Sequence, residues 1–124
     1  LSVENMNHAI QLVSEELNIS IPEFTVAGIP HDNFFAHHWY VACNDKVDAT
    51  LLAQKIDNKL KELNDDYAVE RNSALKAVFL DVLSEDQFMD FMKQKGKIGG
   101  QHKFPRVLKG KMLEEWQQYI KKEK

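Results

Sequence analysis

Residues 95–111, KGKIGGQHKFPRVLKGK, hold the densest set of groups in the chain that could act on a charged substrate. Six are Lys or Arg (Lys95, Lys97, Lys103, Arg106, Lys109 and Lys111), none is acidic, and four of the chain's five glycines (Gly96, Gly99, Gly100, Gly110) lie among them. Glycine lets backbone N–H groups approach an anion and tolerates positive φ. The whole chain carries −3, so without these six cations the remainder carries −9. A positive, glycine-rich, non-periodic stretch on an acidic body predicts an anion-contacting loop. The competing reading is a solvated connection between two helices, with its charges serving solubility.

Other groups that could do chemistry are weaker. His31, Asp32, His37 and His38 invite a metal site. Successive strand residues point to opposite faces, however, so His37 and His38 do not converge on one ion. Asp65 and Asp66 resemble an acid–base pair, but neighbours on a helix diverge by about 100° and do not share a substrate atom. A phosphate loop needs Gly, four residues, then Gly-Lys-Ser/Thr; Gly110-Lys111 has Pro105 five residues earlier and Met112 after it. No strand–GxGxxG–helix unit and no Gly-x-Ser-x-Gly occurs. The single cysteine, Cys43, excludes an internal disulfide and a cysteine-based zinc site.

The elements that must position the basic stretch follow from periodicity. Met6, Ala9, Ile10, Val13 and Leu17 form a helical stripe over 3–17, with Ser2 as N-cap and Asn18 as the stop. Residues 22–29 read as a strand, 30–36 as a connection through Asp32-Asn33, and 37–43 as the antiparallel partner. Along that partner, Trp39, Val41 and Cys43 share one face; Tyr40 and Ala42 take the other. Asp48 caps a helix carrying Leu52, Ile56, Leu60 and Leu63, and nothing between there and Ala74 is a Gly or Pro that would stop it. Residues 77–83 read as a third strand. Ser84 and Gln87 form a capping box for a short helix with Phe88, Met89, Phe91 and Met92, and Gly96 ends it. A last helix opens at Gly110 or Lys111, with Met112, Leu113, Trp116, Tyr119 and Ile120 along one side. The order α-β-β-α-β-α-loop-α predicts an α+β fold, a small antiparallel or mixed three-stranded sheet covered by helices.

The 124 residues, 44% hydrophobic and 28% charged, suit one domain spanning 1–124 with a core that needs no metal or disulfide. No apolar run approaches the roughly 18 residues of a membrane span, and the amphipathic N-terminus is unlike a signal peptide. These features predict a cytoplasmic location. A chain that opens on Leu1 rather than Met is expected to be a piece of something longer or a processed form.

LNDDYAVER (63–71), FTVAGIP, HHWYV and GKIGGQHKFPRVLKG (96–110) together resemble the auxin-responsive acyl-acid amido synthetase family, its bacterial members most of all. The resemblance spans nearly the whole chain and implies the small, mobile C-terminal domain of an adenylate-forming enzyme. Such enzymes activate a carboxylic acid with ATP and magnesium as an acyl-adenylate, and this family then passes the acyl group to an amino acid. The implied partners are the N-terminal adenylation domain, which would bind most of the ATP and magnesium, and the small acid and amino acid substrates. Neither membrane nor nucleic acid is implied, and the fragment alone is expected to be inactive. Gln101-His102-Lys103-Phe104-Pro105-Arg106 resembles the family's Gln-Tyr-Lys-x-Pro-Arg run, with His102 in place of tyrosine. Lys103 is then the catalytic, phosphate-contacting candidate, and Arg106 a phosphate clamp or the partner of an acid on the larger domain. PRVLKGK (105–111) is similar to the wider superfamily's Pro-x-Thr-x-x-Gly-Lys, with Val107 for threonine, which makes Lys111 a second catalytic candidate. Two other readings stand beside this one: an interaction or regulatory domain, and a module that binds RNA backbone through the same loop. The acidic net charge and the loop's single aromatic, Phe104, weigh against RNA.

Overall fold

A computed structural model describes residues 1–96 and 104–123. Among them the order is α1 (Val3–Leu17), β1 (Glu23–His31), β2 (Phe34–Ala42), α2 (Ala49–Leu63), α3 (Asp65–Arg71), β3 (Leu75–Leu83), α4 (Glu85–Gln94), β4 (Val107–Leu108) and α5 (Gly110–Glu123). The fold is α+β, as expected, but the sheet has four strands among the described residues, in the order β3-β2-β1-β4. β1 and β2 pair antiparallel, while β2–β3 and β1–β4 are parallel.

Local chemistry explains most boundaries. The Ser2 hydroxyl accepts from the Asn5 N–H and starts α1; Asn18 ends it in the left-handed region at φ 55°. Asp48 accepts from the N–H groups of Thr50 and Leu51 to start α2, and Ser84 with Gln87 forms the capping box of α4. The hairpin between β1 and β2 is tighter than the expected 30–36 connection. Asp32 takes φ 54°, which Asp tolerates, so the strands run to His31 and from Phe34.

Two further differences concern long-range contacts. The helix expected to continue past Leu63 breaks at Asn64, which adopts φ −147°, ψ 112° and caps α3 by accepting from the Tyr67 N–H at 2.8 Å. The fourth strand, β4, lies inside the basic stretch, and its two residues sit opposite Val26 and Ala27 of β1.

Each sheet face carries its own apolar core. Phe24, Val26, Trp39, Val41 and Leu75 meet α1, α2 and Tyr67 of α3. Tyr40, Ala42 and Leu83 meet α4 and α5 on the other side, joined by Phe104 and Leu108. Trp39 and Trp116, each fully buried, centre the two cores. No helix among the described residues is long and apolar enough to cross a membrane.

Candidate functional site

The basic stretch divides into two described stems and a central segment, 97–103, outside the described residues. Lys97, Gly99, Gly100, Gln101, His102 and Lys103 fall in that segment. The incoming stem is α4, whose end passes through Lys95 to Gly96 at φ 74°, a conformation that favours glycine. Lys95 Nζ donates to Glu115 Oε2 of α5 at 2.6 Å. That hydrogen bond holds the Glu115 carboxyl below the usual carboxylate range.

The outgoing stem is fixed at several points. The Phe104 ring lies among Phe88 (4.9 Å between centroids), Trp116 (5.0 Å) and Phe91 (6.0 Å). Two residues on, the Arg106 guanidinium donates to the Glu23 carboxylate and to the Phe24 carbonyl at 3.0 Å, and stacks 4.2 Å over the Phe24 ring. The Arg106 carbonyl accepts from the Val26 N–H at 2.8 Å. Val107 and Leu108 then run beside β1, and Leu108 enters the second core.

The structure therefore separates the sequence candidates. Arg106 is engaged by Glu23, an acid of the same chain. Lys111 stands exposed in the first turn of α5, directly after Gly110 at φ 62°. That turn holds no acidic residue, so the ammonium and the helix N-terminus both favour an anion. Lys109 is also exposed. Lys103 precedes Phe104, the first residue of the fixed stem, but itself lies outside the described residues. Glu23 was not a candidate in the sequence: its partner is 83 positions away and no local pattern announces the pairing.

A second polar group lies across the sheet. Asp57 on α2 accepts from the Tyr67 hydroxyl at 2.6 Å and from Arg71 Nε at 2.9 Å, while Arg71 Nη1 donates to the Leu75 carbonyl at 2.7 Å. Burial, then the hydrogen bond to Asp57, pushes the Tyr67 hydroxyl well above the ordinary tyrosine range. His37 lies beside this group, 6.3 Å from Tyr67 between ring centroids. Burial, then the Arg71 charge, lowers its pKa. His38 points the other way and meets Asp81 at 2.9 Å, so adjacent histidines do occupy opposite faces. Tyr67 and Arg71 belong to the LNDDYAVER segment, and their contacts tie α3 to α2 and to the start of β3. That segment serves the architecture. Among the described residues no group of three or more His, Cys, Asp or Glu could hold a metal ion.

A model of the GH3 family C-terminal domain matches residues 4–111, which include the basic stretch. A search of curated proteins gives no match. Among solved structures the chain is similar to "AtGH3.15 acyl acid amido synthetase in complex with 2,4-DB", with a TM-score of 0.72 and 15% identity over 98% of this chain and 25% of that one. It is similar also to "GH3.15 acyl acid amido synthetase", with a TM-score of 0.68 and 14% identity over 97% of this chain and 23% of that one. At such identity the structural likeness is one of fold. The chain spans about a quarter of the length of these neighbours.

Proposed function

The chain belongs to the GH3 family, through its C-terminal domain, and from that premise we propose that it is the lid domain of an ATP-dependent acyl-acid amido synthetase. The observation that carries this reading is the family match over 4–111, which takes in the stem that fixes Phe104, Arg106 and Leu108 and ends at Lys111.

Residues 1–124 act as one domain in this reading, against a larger N-terminal domain that binds ATP and the acid. A carboxylate oxygen of the acid attacks the α-phosphate of ATP, the bond to pyrophosphate breaks, and an acyl-adenylate forms. An amino acid amine then attacks the acyl carbon, AMP leaves, and the amine loses a proton. The domain supplies positive charge for the first step. A fixed ammonium stabilises the charge that builds on the α-phosphate and the departing pyrophosphate. Lys103 is assigned that role, with Lys111 as the second candidate. Arg106 could clamp phosphate only by leaving Glu23, so its first role is to hold the stem. Magnesium would accompany the ATP phosphates, held mainly in the larger domain. The enzyme is proposed to be bacterial and cytoplasmic, and the 124-residue chain alone to be inactive.

The test is ATP–pyrophosphate exchange by the full-length synthetase, with benzoate and hexanoate among a panel of acids. Lys103→Ala is expected to slow exchange by about 10²–10³ with acid affinity nearly unchanged. Lys103→Arg should recover part of the rate, since a planar fork does not place its charge where an ammonium did. If Lys111→Ala carries the loss instead, the second candidate is the acting residue. If neither substitution costs more than a few-fold, the stretch is a connection and the catalytic assignment fails.

A further inference from the structure

We propose that Glu23, the first residue of β1, is a positioning residue for the basic stretch: by holding Arg106 it seats the stem from Phe104 to Leu108, the described part of that stretch that leads into α5. The catalytic consequence rests on the function proposed above; the seating itself rests only on geometry. Both the side chain and the main chain of Arg106 lie on one short run of β1. The guanidinium meets the Glu23 carboxylate, the Phe24 carbonyl and the Phe24 ring, while the Arg106 carbonyl takes the Val26 N–H. β4 consists of only Val107 and Leu108. Two parallel residues make a weak ladder whose register is poorly specified by itself. Arg106, immediately before them, supplies the directional contact that fixes it. Phe104 in its ring cage and Leu108 in the second core hold the stem by apolar contacts, which are non-directional. The Arg106–Glu23 contact adds the directional restraint. A group held on a rigid element within a fraction of an ångström is what phosphate chemistry requires, and a shift of about 1 Å can cost about 10²-fold in rate.

The experiment is a double-mutant cycle in the full-length protein with Glu23→Gln, Arg106→Gln and both together. ATP–pyrophosphate exchange with the best acid of the panel reads adenylation, and the reaction of added benzoyl-adenylate with amino acids reads the second step. Hydrogen exchange at the Val26 amide, which donates to the Arg106 carbonyl, reads the seating. Each single substitution is expected to slow adenylation by about 10- to 100-fold. The double should be no slower than the worse single, because both remove one contact. Reaction of the added adenylate should be unchanged, whereas a general loss of folded protein would lower both steps alike. Protection at Val26 should fall in all three variants. If Glu23→Gln fails to fold, Glu23→Asp keeps the charge one methylene short and should give a smaller loss of the same pattern. The inference is overturned if Glu23→Gln stays within about twofold of wild type while Arg106→Gln is slow, since Arg106 then acts on phosphate directly. It is equally overturned if Val26 protection does not change. Absence of exchange in the wild-type protein overturns the synthetase reading and the catalytic part of this inference with it; Val26 protection then still decides the seating.

Discussion

Asp57 shows how much one side chain can organise. Its carboxylate takes the Tyr67 hydroxyl and both Arg71 Nε (2.9 Å) and Nη2 (3.3 Å), with Lys61 Nζ 3.5 Å away. The Asp57 and Arg71 side chains are only 12% and 18% exposed, so solvent cannot replace a lost partner. Asp57→Ala should cost about 3–5 kcal/mol, because Arg71 keeps its charge and loses its counterion. Tyr67→Phe should cost only about 1–2 kcal/mol, because Asp57 keeps Arg71. Urea unfolding of both variants checks the order; equal losses would show that Arg71 finds water. His37 adds a pH dependence. Burial first, then Arg71, lower its pKa from 6.5, while Asp57 pulls weakly the other way. Just below that value the unfolded chain binds the proton more readily than the folded one, so stability falls as pH falls and levels off above about 6.5. The loss of stability between about pH 8 and about pH 5 should be smaller in His37→Gln, and the difference between the two proteins separates His37 from the carboxylates. A slope unchanged by the substitution would contradict this.

Among the elements, the outgoing stem has Phe104 as the larger of its two buried apolar anchors, beside Leu108. Phe104 touches α4 through Phe88 and Phe91 and α5 through Trp116. Phe104→Ala should cost about 3–5 kcal/mol as a cavity opens in the second core. Phe104→Leu should cost less, and calorimetric melting would rank them. What was legible in the sequence at this scale is what local chemistry decides. Ser2, Asp48 and Ser84 cap helices with their own side chains, and Asn18 and Gly96 end them in conformations those residues tolerate. The alternation of Trp39 and Val41 against Tyr40 and Ala42 likewise assigned each to the correct core. The break at Asn64 was not legible. No Gly or Pro stands there, and the break is made by Asn64 capping α3 while its amide donates to Asn5 of α1 at 2.9 Å, 59 positions away. β4 was hidden for the same reason, since two residues have no period and their partner strand is some eighty positions earlier. For the candidate site, charge and glycine content located the stretch. They did not show that Lys95 and Arg106 are taken up by Glu115 and Glu23.

For the whole molecule the question is what the chain can do alone. Among the described residues each sheet face has its own apolar core, and the polar group around Asp57 is internally matched, which is what a chain expected to fold cooperatively by itself requires. The chain's chemistry is incomplete in the proposed reading. The sequence has no phosphate loop of the Gly-x4-Gly-Lys-Ser/Thr kind, and among the described cations of 95–111 Lys95 and Arg106 are paired internally. The chain by itself is therefore expected to unfold cooperatively in urea yet give no ATP–pyrophosphate exchange with any acid of the panel. Exchange above background would sink the lid reading. The same preparation tests one of the two alternatives. An RNA-backbone module should retain generic RNA at low salt and release it as salt rises, with a slope that counts the phosphates neutralised. With a net charge of −3 and two loop cations already engaged, no retention is expected even at low ionic strength. Salt-sensitive retention would turn the assignment of Lys103 and Lys111 from adenylation to nucleic acid.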